Sequence, residues 1–363
     1  MAVILKIGVS FIVSSALVLS LLRLSRKNGW YDRVDERKVH AGEVPRLGGI
    51  GLALSFIVTA GWIAGSAPEA YLGFRFILPI AAMVLILLFG VIDDFRPLAA
   101  RYKLFLQITA VLCVIIPGYT FRRLFFFDIG LLGELNWVRY PLSFLWIVGV
   151  TNAMNFIDGV DGLAGGIAAM AALSYAAVFA SSPGAGSVTV LCVCLAAALG
   201  GFLMFNLPLP AAKIFMGDGG SQFLGFTLAF LPMIDKGDSH SVLPFSYAGA
   251  LLLIPIMDTL TAILRRIRDG RRIDDPDRAH IHHKLMNLGM SPGGVCGTLF
   301  TLQLLLSLLV FLSVRGDGRM LPLVCLGTAY LLGLGFFITV YYINRRAATR
   351  ERAVQESRNS LYS

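Results

Sequence analysis

The chain has 363 residues, 56% of them hydrophobic and 15% charged, with a mean hydropathy of +0.75 and a formal net charge of +9. That apolar share exceeds what a soluble domain carries, so a soluble enzyme is excluded and an all-α, polytopic integral membrane protein is expected. The basic residues are dispersed over loops with no recognition module among them, which speaks against nucleic acid and leaves membrane lipids and anionic solutes as suitable partners.

Taken in order, apolar runs fall at 3–22, 48–65, 74–92, 104–118, 140–157, 163–181, 188–206, 222–234, 243–264, 296–314 and 321–343 and predict eleven transmembrane helices. Runs 104–118 and 222–234 are short for a hydrocarbon layer of about 30 Å and are expected to tilt or extend. The first run has its basic cluster after it and no small-residue cleavage site, so it reads as a retained helix with its N-terminus outside. The cytoplasm-facing candidates are then the loops 23–47, 93–103, 152–162, 207–221 and 265–295 and the tail 344–363. They carry 7, 3, 0, 1, 7 and 5 Lys and Arg, or 23 of the 31. The positive-inside rule makes that side, and with it the C-terminus, cytoplasmic. Residues 1–343 read as one transmembrane catalytic domain and 344–363 as a basic cytoplasmic tail. The aromatic stretch Tyr119 to Tyr140 is expected to form a short interfacial hairpin. The five cysteines all lie in or at the ends of apolar runs without a Cys-x-x-Cys pair and read as buried small hydrophobes.

The concentrated polar motifs share the predicted cytoplasmic side. Arg37-Lys38-Val39-His40-Ala41-Gly42, Pro45-Arg46 and Leu47-Gly48-Gly49-Ile50 form a basic, Gly-rich lip that suits either a phosphate or a plain helix cap. Asp93-Asp94 ends the third run and Lys103 opens the fourth. Adjacent carboxylates repel, so Mg²⁺ and the lysine would keep both ionised; an exposed helix end is the other reading. In Thr151 to Gly166, Asn152, Asn155, Asp158 and Asp161 recur every three residues, which puts four polar heads on one side if the backbone stays near-helical. Their oxygens are hard ligands for Mg²⁺ or for a polar substrate. A helix-to-helix turn with Asp as N-cap is the alternative. Acids and amides ending a membrane-length run are costly to bury and mark a substrate or ion path.

Lys213 to Gln222 sets Asp218 between glycines ahead of an apolar run, where helix-terminal N–H groups suit a metal-bound diphosphate and Phe215 suits a nucleobase. A simple Gly-rich helix start fits equally. Three of the five histidines, His280, His282 and His283, lie within four residues beside Arg278. Without a cysteine among them, an anion-binding cluster is more economical than zinc. Asp258, inside the ninth run, either supports the site from behind or pairs with an arginine.

Together these motifs resemble the polyprenyl-phosphate N-acetylhexosamine-1-phosphate transferase family. The resemblance rests on Arg37-Lys38-x-His40-x-Gly42 with Gly48-Gly49, Asp93-Asp94-Phe95, Asn152-Ala153-x-Asn155-x-x-Asp158-Gly159-x-Asp161-Gly162, Phe215-Met216-Gly217-Asp218-x-Gly220-Ser221 and His280-x-His282-His283, in that order. The His-Ile-His-His form after Asp277-Arg278 looks like the branch that transfers N-acetylglucosamine-1-phosphate; the muramoyl-pentapeptide branch carries three consecutive histidines. The resemblance implies transfer from a UDP-N-acetylhexosamine to undecaprenyl phosphate with release of UMP, as the first membrane step of a cell-envelope glycan. It further implies Mg²⁺, with Mn²⁺ able to replace it, a homodimer, and a bacterial inner membrane with the active site on the cytoplasmic face. By the same resemblance Asp218 and Asn155 are metal ligands and Phe215 stacks on uracil. Asn152, Asp158 and Asp161 match uridine-side and structural groups, Lys103 the lipid-phosphate contact, and Arg278, His280, His282 and His283 the diphosphate and sugar contacts. Asp93, Asp94, Asp218 and His282 form the expected catalytic set. The rival class, a membrane transporter or lipid-linked-sugar flippase, predicts mid-membrane ionisable residues, broken helices and an inverted repeat; apart from Asp258 the sequence displays none clearly.

Overall fold

With no water in the bilayer core, long apolar runs satisfy their backbone groups as helices. The computed structural model describes residues 2–31, 44–66, 74–125, 127–182, 185–207, 211–234, 243–272, 275, 277 and 279–361. These hold thirteen α-helices and no strand: α1 (Ala2–Asn28), α2 (Gly48–Ser66), α3 (Phe74–Phe95), α4 (Ala100–Ile115), α5 (Arg139–Ile157), α6 (Leu163–Ala180), α7 (Gly186–Asn206), α8 (Gly217–Phe230), α9 (Phe245–Leu251), α10 (Leu253–Arg268), α11 (Ile281–Asn287), α12 (Pro292–Arg315) and α13 (Met320–Leu361). The motif from Arg37 to Gly42 and residue Arg278 lie outside the described residues.

Among the described residues eight helices are long and apolar enough to cross a membrane, nine if one bent pair counts as a span. The protein is a multi-pass membrane protein of all-α class. All eleven predicted runs are helical, but three differ from a plain span. Run 104–118 is the 16-residue α4. Run 222–234 becomes α8, only 14 residues long and almost wholly buried. A helix apolar all round is a core helix, and α8 is walled by α2, α3 and α5. Its shortness follows from packing against protein instead of lipid.

Run 243–264 is broken into α9 and α10, which meet at 84°. Pro255 lacks the N–H that would bond the Leu251 carbonyl one turn back, and Gln303 of α12 donates to that oxygen at 3.0 Å instead. This break corrects the expectation of an unbroken run, and its signal in the sequence is Pro255 inside an apolar stretch. Of the Tyr119 to Tyr140 stretch only a tight turn pairs antiparallel, Arg123 with Asp128 and Ile129 N–H donating to Arg122 O at 2.7 Å, while Ile129–Val138 is 3₁₀ helix leading into α5 and corrects the expected hairpin. The tail is not set apart by a break, since α13 continues as helix to Leu361.

Glycine lets two helices approach the start of α8. A Cβ on Gly49 of α2 would fall 2.2 Å from Gly220 Cα, and one on Gly90 of α3 would fall 2.3 Å from Gly219 Cα. Small residues at such crossings are what allow backbones in a membrane bundle to touch.

Candidate active site

The Gly-rich start of α8 is organised by the end of α3. Asp94 Oδ1 accepts from Asp218 N–H at 2.8 Å and Oδ2 from Gly219 N–H at 3.1 Å. A carboxylate bonded to the first amides of a helix is a strong N-terminal acceptor. Those two N–H groups are therefore already engaged, which corrects the expectation that they meet a diphosphate: the cap holds α8 so that the Asp218 carboxyl points outward. Gly217 has φ +77°, and a Cβ there would fall 2.2 Å from Arg46 O, so only glycine fits.

Three helices, α3, α4 and α5, deliver polar groups beside that carboxyl. Asp93, buried, forms an ion pair with Lys103 of α4 and accepts from Leu98 N–H at 2.7 Å, which fixes the α3–α4 turn. Lys103 Nζ also lies 3.6 Å from Asp218 Oδ2, and the two carboxyls are within hydrogen-bonding reach of each other. Asn155 of α5 bonds the Asp218 side chain and donates to Ser221 Oγ at 2.8 Å. Asn152, one turn deeper, does not join this group. Its Nδ2 donates to Gln107 Oε1 at 2.9 Å, and Gln107 donates in turn to Gln222 at 3.2 Å. This amide belt ties α4, α5 and α8 together beneath the mouth.

The three-residue spacing does not put its four polar heads on one helical face. Helix α5 ends at Ile157, Asp158 leaves helical geometry at φ −77° and ψ 47°, and Gly162 turns the chain at φ +76°. Asp158 and Asp161 ride on this turn. Buried Asn206 secures it, accepting from Gly162 N–H and donating to Ile214 O, both at 2.9 Å. Burial, and then the charges of Asp218, Asp161 and Asp94, push the Asp158 carboxyl up to about 8. Arg46 brings opposing positive charge to Asp94, Asp158 and Asp218. Phe215, half-buried, is fixed through its backbone: its N–H donates to Pro45 O at 2.7 Å and its carbonyl accepts from Gly48 N–H at 2.9 Å.

The histidine helix closes the other side. Asp258, buried in α10, accepts from Ile281 N–H at 2.7 Å and meets His280 Nδ1 at 2.8 Å. The bend at Pro255 turns α10 so that this carboxyl faces α11 and meets His280. Asp277 pairs with Arg265 and accepts from Ala279 N–H at 2.9 Å. His282, nearly fully buried, lies against the 158–162 turn, where a Cβ on Gly159 would fall 2.3 Å from its Nε2. Its ring stands 4.3 Å from that of His283 and is stacked on that of His280 at 5.9 Å. Burial, then the neighbouring His283, lowers His282 to about 3. It is therefore neutral near pH 7 and acts as a hydrogen-bonding group, not a cation. Its Nδ1 is buried without a hydrogen-bond partner among the described residues, an arrangement that a ligand oxygen would relieve.

The predicted site residues Asp93, Lys103, Asn155, Asp158, Asp218 and His282 are thus linked by direct contacts or adjacent turns, while Asp94, Asn152 and His280 are engaged in holding them. Arg46 belongs to the basic lip that suits a phosphate, whereas Gln107, Asn206 and Gln222 carry no role in the motifs. The signal for these three is a polar side chain in or at the end of an apolar run. Among the described residues no group of three or more His, Cys, Asp or Glu forms a metal cage. Asp218 and Asn155 nonetheless fit Mg²⁺, which takes one or two protein oxygens and completes its shell with phosphate and water.

The family model for glycosyl transferase family 4 matches residues 76–235. A Bacillus subtilis (strain 168) protein named "Probable undecaprenyl-phosphate N-acetylglucosaminyl 1-phosphate transferase" is 38% identical over 294 residues, covering 79% of each chain. A Mycolicibacterium smegmatis decaprenyl-phosphate N-acetylglucosaminephosphotransferase is 35% identical over 70% of this chain and 68% of its own. An Escherichia coli K12 undecaprenyl-phosphate alpha-N-acetylglucosaminyl 1-phosphate transferase is 28% identical over 77% and 76%.

Proposed function

The chain belongs to glycosyl transferase family 4, and on that premise we propose that it transfers N-acetylglucosamine-1-phosphate from UDP-N-acetylglucosamine to undecaprenyl phosphate, releasing UMP. The observation that carries this reading is the meeting of Asp218, Asn155, Asp93 and Lys103, from four different helices, beside the Asp158 turn against which His282 packs.

Asp218 and Asn155 would hold Mg²⁺, or Mn²⁺ in its place, and the cation would supply positive charge to the donor diphosphate. Lys103, steadied by Asp93, meets the acceptor phosphate. A narrow apolar crevice between α3 and α4, walled by Ile86, Phe89, Leu98 and Leu106, begins at these two residues. A phosphate monoester with a second pKa of about 6 is largely dianionic near pH 7. Its oxygen therefore attacks the donor's β-phosphorus directly. The bond to the bridging oxygen breaks and UMP leaves with the electron pair, so Asp93 and Asp94 position groups and abstract no proton. Phe215 stacks on uracil, Asp158 and Asp161 line the uridine side with Asn152 behind them, and Arg278, His280, His282 and His283 take the diphosphate and the sugar.

In the membrane, α4, α8 and the bent α9–α10 pair complete the eight long helices to eleven crossings, N-terminus outside, C-terminus and site facing the cytoplasm of a bacterial inner membrane. The 23 of 31 basic residues on that side support this orientation. The reaction would open assembly of a cell-envelope glycan.

The test is UMP release by purified protein from a panel of UDP-sugars. Release is expected with UDP-N-acetylglucosamine and only when both undecaprenyl phosphate and Mg²⁺ are present; no release with any UDP-N-acetylhexosamine defeats the assignment and favours a transporter. With a donor chiral at the transferred phosphorus, inversion is expected, and retention would replace the direct route by a covalent intermediate.

A further inference from the structure

A second cleft lies on the far side of the histidine helix, between α10 and α13, half-open and with a volume of about 360 Å³. Its floor is apolar, formed by Leu264, Phe337 and Ile338, with Leu264 and Ile338 facing outward. Its rim is cationic. Arg268 and Lys284 stand there beside Tyr341, the Lys284 ammonium 5.9 Å from the ring centroid. Arg268 shares its charge with exposed Asp269, whereas Lys284 is half-buried and has no carboxylate partner among the described residues. Burial and the nearby Arg265 charge hold its amine below the usual lysine range. A half-buried cation without an anion beside it is costly, and an aromatic-lined apolar trough beneath two cations complements a phosphate on hydrocarbon chains.

We propose that this cleft is a binding site for an anionic phospholipid of the surrounding membrane, with the phosphate between Lys284 and Arg268 and an acyl chain over Leu264, Phe337 and Ile338. The site shares none of the groups assigned to the transfer reaction. It joins α10, α11 and α13, so an occupied cleft would brace the helix that carries His280, His282 and His283.

The test uses detergent-solubilised full-length protein titrated with phosphatidylglycerol, phosphatidylcholine, undecaprenyl phosphate or inorganic phosphate and read by thermal unfolding. Phosphatidylglycerol should raise Tm saturably and phosphatidylcholine and inorganic phosphate should not; undecaprenyl phosphate, which binds at Lys103 in the proposed function, should raise Tm equally in the wild type and in Ile338→Trp. Each cation near a phosphate contributes about a fivefold effect, so the double variant Arg268→Gln/Lys284→Gln should weaken the apparent affinity roughly 25-fold. Ile338→Trp, which fills the floor and leaves both cations in place, should abolish the phosphatidylglycerol shift, and it decides the matter alone if the double variant does not fold. An unchanged phosphatidylglycerol response in Ile338→Trp would overturn the proposal, as would equal shifts with phosphatidylcholine or inorganic phosphate. An undecaprenyl phosphate shift that disappears in Ile338→Trp would also overturn it and give the cleft to the acceptor lipid.

Discussion

Two ends of the site are built by the same device and come out chemically opposite. At the start of α8 and at the start of α11, a carboxylate from another helix accepts hydrogen bonds from the first amides: Asp94 from Asp218 and Gly219, Asp258 from Ile281. The first cap presents Asp218 among other acids and Lys103, a half that suits a cation. The second presents His282, kept neutral by burial, a half that suits hydrogen bonding to oxygen. The difference lies in what each helix carries after its cap. Capping fixes position, and the local dielectric and neighbouring charges then fix chemistry.

The largest effect should come from the cation half. Asp218→Asn should lower turnover by about 10³-fold, on the scale of losing one well-placed electrostatic group, while thermal unfolding stays near wild type; near-normal UMP release in saturating Mg²⁺ would remove Asp218 from the reaction. The caps should behave differently from the group they hold. Asp94→Asn and Asp258→Asn should each lower turnover about 10- to 100-fold, as supporting groups do, and Asp94→Asn should also destabilise by about 1–3 kcal/mol because one of its two buried N–H donors loses its acceptor. If Asp94→Asn costs activity with no loss of Tm, the capping account is wrong for that half.

Gly159 joins the halves, and Gly159→Ala should displace the His282 imidazole. Turnover should fall about tenfold, the size of one misplaced contact, with most effect on KM for the UDP-sugar; an unaltered KM would separate His282 from the donor. The smallest effects, a few degrees of Tm, should run in opposite directions with pH. His282 has a folded pKa of about 3 against 6.5 for the free group, so its contribution is present above 6.5 and is lost as pH falls toward 3. Asp158 has a folded pKa of about 8 against 3.8, so its contribution is present at acid pH and is lost as pH rises through 8. His282→Gln should flatten the acid side of the Tm–pH curve and Asp158→Asn the alkaline side. Both variants acting on the same side would contradict the two environments.

Much of this was legible in the chain. Hydropathy located every run that became a helix, and the cost of placing acids, amides and histidines next to lipid marked the loops worth reading. Those signals are local, carried by residues within one run or one turn. What remained hidden was which partner each group takes. Asp94 and Asp218 look alike in the sequence, yet one is consumed as a cap and the other is presented, through contacts spanning 124 residues. Asn152 and Asn155 are three apart on α5, yet one turns to Gln107 and the other to Ser221 and Asp218. The sequence by itself determined a membrane-embedded helical bundle with its polar groups gathered at the ends of its runs, because transfer from water to lipid is priced residue by residue. Only the tertiary structure decided that α8 is a buried core helix and that Pro255 turns Asp258 onto the histidines. It also decided that Gly159 admits His282, because these outcomes depend on how distant surfaces fit and on which hydrogen bond each buried polar group finds.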